Sequence, residues 1–531
     1  MPTLDWIGKA KVINHHQQVP FRVLEKQYTH GAGDSENMII HGDNLEALKA
    51  LLPRYEGKIR CIYIDPPYNT GNEGWVYNDN VNDPKICKWL GEVVGKEGED
   101  LSRHDKWLCM MYPRLKLLQK LLAEDGAIFI SIDDNELFSL KYLCNDVFGA
   151  TNYISTITRP TGTHTGVVNR AIVGESDYIL VFAKNLACVS IDGLPPSEKD
   201  TKIYDMKDEF GRFLIRPLRR TGGENRREDR PNMYFPIEAP DGSFVYPIGP
   251  TGYESRWICN PEGYEYFKKE NRIFWKQIVE GATSKWQVYQ KFYLEDKKKA
   301  VTNLWGDLEG NKKATREVRE ILSDTQESFD YPKPVQLIER IVQIANDSEA
   351  IILDSFAGSG TTAHAVLNMN KTDGGHRKFI LIEMMDYADS ITAERVKRVI
   401  DGYGSGKQAV EGTGGDFSYY ELGEPLLIGE NLNETVGTEK IREYIWYTET
   451  KAAYEPNVEN HSYYLGKYRD TGYYFYYVPD QVTILNHTFL SGISEKADGY
   501  VIYANRCALS SAELAEYGII FKKIPRDITK I

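Results

Sequence analysis

The chain alternates short apolar runs with amphipathic stretches over two separated regions. Met38–His41 predicts a short strand, and Gly42-Asp43-Asn44 turns it into a helix whose apolar face is Leu45, Leu48, Leu51 and Leu52. Ile59–Ile64 (IRCIYI) predicts a buried strand. It stops at Asp65-Pro66-Pro67-Tyr68, because proline has no N–H to give to a ladder. Trp107–Leu122 carries Leu108, Met111, Leu115, Leu118 and Leu122 at helical spacing, with Gly126 as the stop, and Ala127–Ile132 (AIFISI) predicts another strand. Asp133-Asp134-Asn135-Glu136 then opens a helix with acids at its positive end. Tyr178–Phe182 (YILVF) is β-rich. The rhythm resumes with a helix at Val335–Ile344, a strand at Ala350–Leu353, a glycine-rich turn, a helix and a strand at Phe379–Ile382. Repeated strand, turn, helix, strand predicts an α/β protein built on a doubly wound, mostly parallel sheet.

Three stretches break this pattern. Residues 69–105 are polar and glycine-rich with no period, and read as a long functional loop beside the DPPY turn. From about 187 to 325 the segments are short and irregular, rich in Gly, Pro, Arg and Trp, as an inserted domain would be. After about 403 tyrosines and acids dominate. The expected division is 1–186 and 326–402 for the two parts of the α/β domain, 187–325 for the insertion, and 403–531 for an α+β or β-rich C-terminal domain. A chain of 531 residues is too long for one core, which agrees with several domains.

The net charge of −13 argues, taken whole, against a nucleic-acid partner. The seven cysteines are scattered with no CxxC pair, which predicts reduced thiols and neither a disulfide framework nor a zinc site. The N-terminal MPTLDWIGKAKVINHH lacks the apolar core of a signal peptide, and no apolar run reaches the length of a membrane span. A cytoplasmic protein with no membrane partner and no metal is expected.

Asp354-Ser355-Phe356-Ala357-Gly358-Ser359-Gly360-Thr361-Thr362 follows a predicted strand and precedes a predicted helix. Glycines there let the backbone approach a ligand, and the helix N-terminus offers N–H groups. Glu383 ends the following strand, where a carboxylate suits two ribose hydroxyls. By itself this loop also satisfies the loose dinucleotide fingerprint, or is a glycine turn without a ligand; a P-loop is excluded, since no Gly-Lys-Ser/Thr follows. Asp65, at the carboxyl end of a strand, stands where open α/β sheets bind ligands. An acceptor pair from Asp65 and the Pro66 carbonyl, beside the flat face of Tyr68, suits a planar amine.

DPPY together with FAGSGTT resembles the S-adenosylmethionine-dependent DNA amino-methyltransferases. DPPY precedes the glycine loop, the order of the β class, a circular permutation of the same Rossmann-like sheet. IIHGDNLEAL, YIDPPYNTGN, WLCMMYPRLKLL, GAIFISIDDNE, YILVFAKN, YPKPVQLI, LDSFAGSGTTAHAVLNMN and ERVKRVID resemble the modification (Mod) subunits of type III restriction–modification systems. The resemblance implies that Asp65, Pro66, Pro67 and Tyr68 are catalytic, that Asp354, Ser355, Phe356, Ala357, Gly358, Ser359 and Gly360 lie under the methionine part of the cofactor, and that Thr361 and Thr362 also bind the cofactor. It implies that Glu383 holds the ribose, that Lys333 and Pro334 are the KP element closing the cofactor pocket, and that Asp43 lies near the cofactor adenine. The implied reaction is methylation of adenine N6 in double-stranded DNA on a flipped-out base. N4 of cytosine is the alternative, as is a DNA-binding specificity subunit of a restriction complex. A restriction (helicase–nuclease) subunit and a homodimer are the further implied partners.

The distribution of charge removes the objection raised by the total. Residues 201–316 hold 22 Lys and Arg against 17 Asp and Glu, whereas 401–531 hold 12 against 19. The basic excess gathers at Arg216, Arg219, Arg220, Arg226, Arg227 and Arg230, among Trp257, Trp275, Trp286 and Tyr289. Arginine holds phosphates and reads guanine edges, so Arg216, Arg219, Arg220, Arg226 and Arg227 are the expected DNA contacts, in the position of the family's target recognition domain. The Lys297-Lys298-Lys299 run reads better as a solvated face. The acidic C-terminal segment carries 16 of the 35 tyrosines, as either strand residues or a partner-docking surface.

Overall fold

A computed structural model describes residues 4–31, 35–70, 88, 91–93, 103–162, 174–196, 198–280, 283–295, 297–323, 329–345, 347–429, 431–452, 454, 463–525 and 527–528. Most of the expected loop at 69–105 lies outside these residues. The chain divides into two compact units, Gly193–Val301 and everything else.

The larger unit is built on a nine-stranded sheet. In chain order its strands are β1 (Arg22–His30), β2 (Met38–His41), β3 (Ile59–Ile64), β4 (Leu122–Ile132), β5 (Tyr153–Pro160), β6 (Ser176–Ala183), β7 (Ile351–Asp354), β8 (Lys378–Glu383) and β9 (Phe417–Pro425). Their spatial order is β1-β9-β2-β8-β7-β3-β4-β6-β5. The six strands from β9 to β4 are parallel neighbours, while β1 and β6 run antiparallel to theirs. Parallel strands buried on both faces read as near-continuous apolar runs, as β3, β7, β8 and the Ala127–Ile132 part of β4 do.

The helices cover the sheet as their patterns predict. Helix α1 (Asn44–Tyr55) buries Leu45, Leu48, Leu51 and Leu52, and α2 (Arg103–Leu121) buries Leu108, Met111, Leu115 and Leu118 in the same core. Helix α3 (Leu137–Phe148) begins one residue after the acidic tetrad. Helix α4 (Val335–Ala345) buries Leu337, Ile341 and Ile344, α5 (Thr361–Asp373) follows the glycine loop, and α6 (Glu394–Asp401) lies beyond β8.

Gly126 does not stop a helix. α2 ends at Leu121, and β4 starts at once and runs through the glycine. A Cβ on Gly126 would stand 2.9 Å from the Ile59 carbonyl oxygen and 3.0 Å from that of Arg60, so the glycine permits a close approach to β3.

The insertion is narrower than 187–325. Residues from 302 onward pack with the larger unit: the Thr158 N–H donates to the Asn303 carbonyl, the Trp305 N–H donates to the Thr158 carbonyl, and the Arg398 guanidinium donates to the Ile321 carbonyl. The smaller unit has a four-stranded antiparallel sheet, Ile273–Glu280, Thr283–Tyr293, Gly211–Pro217 and Met206–Asp208, over a core of Leu218, Ile237, Trp257, Tyr264 and Val288.

The segment after 403 is not wholly separate either. β9 enters the large sheet between β1 and β2. Beyond it, Tyr464–Tyr468, Thr471–Phe475, Gly499–Ala504 and Ile519–Lys523 form a mixed four-stranded sheet with the helix Thr438–Thr450 packed near it. Tyr464, Tyr473, Tyr474, Tyr477 and Tyr503 are buried in its cores, four of them on strands and Tyr477 just beyond one. Among the described residues no helix is long and apolar enough to cross a membrane.

Candidate active site

β3 and β7 are adjacent and parallel, with Leu353 paired to Ile62. Their carboxyl ends therefore bring Asp65 and Asp354 together, although 289 positions separate them in the chain. Both line one small cavity, together with Lys333, Phe356, Gly358 and Thr362. Gly358 and Gly360 have φ of +53° and +80°, the left-handed backbone that the turn from β7 into α5 requires. A Cβ on Gly360 would also press on the Thr392 carbonyl oxygen at 3.1 Å.

The glycine loop is held from four sides. The Thr362 hydroxyl donates to Asp354 Oδ2 at 2.6 Å, and the Phe356 N–H donates to Oδ1 at 3.1 Å. Burial pushes the Asp354 carboxyl up to about 7, with nearby Asp65 and Glu383 adding to the rise and the two hydrogen bonds opposing it. The Gly358 and Met385 N–H groups donate to the two oxygens of Glu383, at 2.8 and 2.9 Å. Asn44 reaches across from α1 and donates to the Ser355 carbonyl at 3.2 Å. From α6, the fully buried Arg395 donates to the Ser359 hydroxyl at 2.7 Å and to the Thr361 hydroxyl at 2.9 Å. Burial beside Arg395 pushes the His364 imidazole far down, so a neutral ring nitrogen accepts from the guanidinium at 3.2 Å.

Asp65 is buried, and its Oδ2 accepts from Lys333 Nζ at 2.7 Å. The same ammonium stands 4.6 Å from the centre of the Tyr68 ring. Asp65 Oδ1, the Tyr68 hydroxyl and the Ser355 hydroxyl are buried without a partner among the described residues. Burial, with Asp177 and Asp65 nearby, holds the Tyr68 phenol neutral by pushing its pKa well up. The Trp107 indole donates to the Pro67 carbonyl at 2.6 Å and fixes the proline turn. Asn69 takes a φ of +61° and donates to the buried Glu136 at 2.5 Å, and Glu136 also meets His104 at 2.5 Å.

Of the expected cofactor residues, Ser355, Gly360 and Glu383 belong to the glycine loop and the strand beside it without lining the cavity, and Asp43 and Pro334 stand further off. Asp43 caps α1, accepting from the Leu45 and Glu46 N–H groups, and pairs with the buried Arg114 at 3.6 Å. It does not line the Asp65–Asp354 cavity, but Gly42 donates to the Glu383 carbonyl at 3.0 Å, so the turn abuts that carboxylate's strand. Pro334 immediately precedes α4, its carbonyl accepting from the Leu337 N–H, and lines a separate cleft with Glu317 and Glu339. Arg395, Arg114, Asn69 and Glu136 escaped the sequence reading. The first lies in ERVKRVID, where helical spacing could have marked an inward-facing cation.

In the smaller unit, Arg216, Arg220, Arg226 and Arg227 are exposed and Arg219 is half-buried. Arg226 and Arg227 lie over Tyr253 and Tyr234, and Arg227 pairs with Glu254 at 2.9 Å. The buried Arg256 donates to the Glu224 carbonyl at 2.5 Å and to that of Trp257 at 3.2 Å, which anchors the loop carrying the other arginines.

An acidic proline turn and a glycine loop at the ends of adjacent parallel strands define a Rossmann-like methyltransferase fold. The DNA methylase family model matches residues 59–394, and the chain belongs to that family. It is 35% identical over 421 residues to the type III restriction-modification enzyme EcoPI Mod subunit of Escherichia phage P1, covering 72% of this chain and 63% of that protein. To the StyLTI Mod subunit of Salmonella typhimurium it is 30% identical over 456 residues, 80% of this chain and 66% of that protein. To the type II methyltransferase M.KpnI of Klebsiella pneumoniae it is 34% identical over 371 residues, 66% of this chain and 81% of that protein. The chain thus spans less than two thirds of the length of the two Mod subunits.

Proposed function

We propose that this chain is a site-specific DNA methyltransferase acting on adenine N6 in double-stranded DNA, as the modification part of a type III-like restriction–modification system. The observation that carries the reading is the meeting of Asp65 and Lys333 with the glycine loop in one cavity, with the Tyr68 ring against the Lys333 ammonium. Similarity to the Mod subunits and the family membership support the restriction setting, in which a restriction subunit would be the partner; a homodimer is proposed as the assembly.

The residues present suit S-adenosylmethionine. The Asp65 carboxylate favours a sulfonium cation, the N-terminus of α5 favours a carboxylate, and the Ser355 hydroxyl has a hydrogen bond still to make. Asp354 to Gly360 would hold the methionine part, with Thr361 and Thr362 beside it, and Glu383 the ribose. When bound, the cofactor supplies an electrophilic methyl group.

The exocyclic amine of adenine is a poor nucleophile, because its lone pair is delocalised into the ring. Asp65 and the Pro66 carbonyl accept its two N–H groups, which favours a tetrahedral nitrogen and stabilises the positive charge that develops. Tyr68 stacks on the base once it has left the helix, and holding both reactants in line supplies much of the rate. The arginines of the smaller unit grip the duplex. Modified-base sequencing of DNA from cells expressing the wild type or Asp65→Ala tests the reading. N6-methyladenine at one short motif, absent with the variant, is expected. N4-methylcytosine would keep the chemistry and overturn the base, and unmodified DNA would overturn both.

A further inference from the structure

Lys333 is held by the two groups that the proposed function gives to the target base. Its ammonium donates to Asp65 at 2.7 Å, where the exocyclic amine would donate, and lies 4.6 Å from the centre of the Tyr68 ring, where the base would stack. We propose that Lys333 is a placeholder for the target base, occupying the base pocket of the resting enzyme until the flipped base displaces it. The inference rests on the proposed function and deepens it.

The surroundings favour a replaceable occupant. Asp65 and Lys333 are both about nine-tenths buried, and a carboxylate so placed is costly without a partner. Lys333 therefore keeps Asp65 compensated while no base is present. It leaves the pocket half-filled, since Asp65 Oδ1 and the Tyr68 hydroxyl have no partner among the described residues. A base amine brings two N–H donors and a flat ring, and an ammonium brings a point charge and no ring.

The backbone around Lys333 is stiff, and its side chain is the movable part. Tyr331 sits at φ +60°, strained for an aromatic residue, and Pro332 and Pro334 flank the lysine. Four methylenes let the ammonium swing away while this strap and α4 stay in place. A residue serving only as a wall of the cofactor pocket, the role implied for the KP element, has no need to meet both Asp65 and Tyr68.

The test uses the full chain and a duplex bearing the motif found by sequencing, with 2-aminopurine beside the target adenine. Its fluorescence rises when the adenine leaves the stack. Lys333→Met removes the competitor, so half-saturation of the signal is expected at about threefold lower DNA concentration or less, because the binding-competent state no longer has to be freed. Lys333→Arg keeps the competitor and is expected to stay near the wild type. Lys333→Gln replaces Lys333→Met should the latter not fold, as judged by circular dichroism. Weaker flipping in Lys333→Met would make the lysine a direct base contact and overturn the placeholder. Unchanged flipping with weakened S-adenosylmethionine binding would also overturn it, leaving only a pocket wall. A wild type that methylates no DNA would overturn the proposed function itself, which separates the two failures.

Discussion

The carboxylate of Glu383, at the end of β8, accepts the Gly358 N–H at 2.8 Å from the loop that leaves β7. One side chain thus joins the tips of two adjacent strands and sets the height of the glycine loop. Its other oxygen takes the Met385 N–H at 2.9 Å. Glu383→Gln retains one acceptor and turns an amine toward the second N–H. Hydrogen bonds to a charged group contribute about 1.5–3 kcal/mol each, so S-adenosylmethionine affinity should fall about tenfold or more. Isothermal titration calorimetry reads this directly, and unchanged affinity would detach Glu383 from the cofactor.

The Asp65–Lys333 pair makes a double-substitution cycle informative. Asp65→Ala strands a buried ammonium, and Lys333→Met strands a buried carboxylate. Breaking such a pair costs about 3–5 kcal/mol, whereas replacing both partners removes the stranded charge. The double variant should therefore be more stable in urea unfolding than either single variant, while forming no methylated DNA. A double variant whose loss equals the sum of the two single losses would show that the two side chains do not interact.

Asp354 makes stability depend on pH. Burial raises its carboxyl to about 7, against an unfolded value near 4. Between those values the folded state holds a proton that the unfolded chain has released. The stability contributed by this group is present at low pH, falls as pH rises through about 4 to 7, and levels off above. Asp354→Asn is neutral throughout, and its amide can still accept from the Phe356 N–H and donate to the Thr362 hydroxyl. The melting temperature of the cofactor-free variant, relative to the wild type, should climb across that window and lie higher above pH 7. Parallel melting curves from pH 4 to 8 would refute the buried, protonated carboxyl.

Both ends of this site are legible in the sequence for local reasons. Prolines at 66 and 67 must end a strand, and glycines at 358 and 360 must turn one into a helix, so the strand tips declare themselves. Their adjacency is a matter of strand order, which depends on contacts between distant segments and on the permuted connection; only the resemblance supplied it. β9 illustrates the limit. FSYYELGEP looks like part of the acidic, tyrosine-rich segment, yet it pairs with Met38–His41 because the sheet leaves an edge there. Arg395 is hidden for a different reason. A cation in an amphipathic helix usually faces water, but the Ser359 carbonyl and the hydroxyls of Ser359 and Thr361, with His364, turn this one inward. Asp43 shows the converse, since helix capping already explains its carboxylate.

The five arginines proposed to meet DNA should not contribute equally. Arg227 pairs with Glu254 and lies on Tyr234, and this guanidinium helps hold the Glu254 carboxyl below its ordinary range. Its charge is already answered within the unit. Arg219 and Arg220 donate to the backbone carbonyls of Arg220 and Gly223, bonds that leave their positive charge uncompensated. A phosphate rewards uncompensated charge, and removing the cation from one phosphate lowers the salt slope of binding by about 1. Arg219→Glu with Arg220→Glu should therefore weaken binding to the methylated motif and flatten its salt dependence, with S-adenosylmethionine affinity unchanged. Arg227→Ala should do markedly less, because Glu254 already neutralises much of the field that this guanidinium would present to a phosphate. Fluorescence anisotropy over a salt series separates the two. An Arg227→Ala defect as large as that of the double reversal would mean that Arg227 leaves Glu254 when DNA arrives, and would move the centre of the interface to the Tyr234 side of the loop.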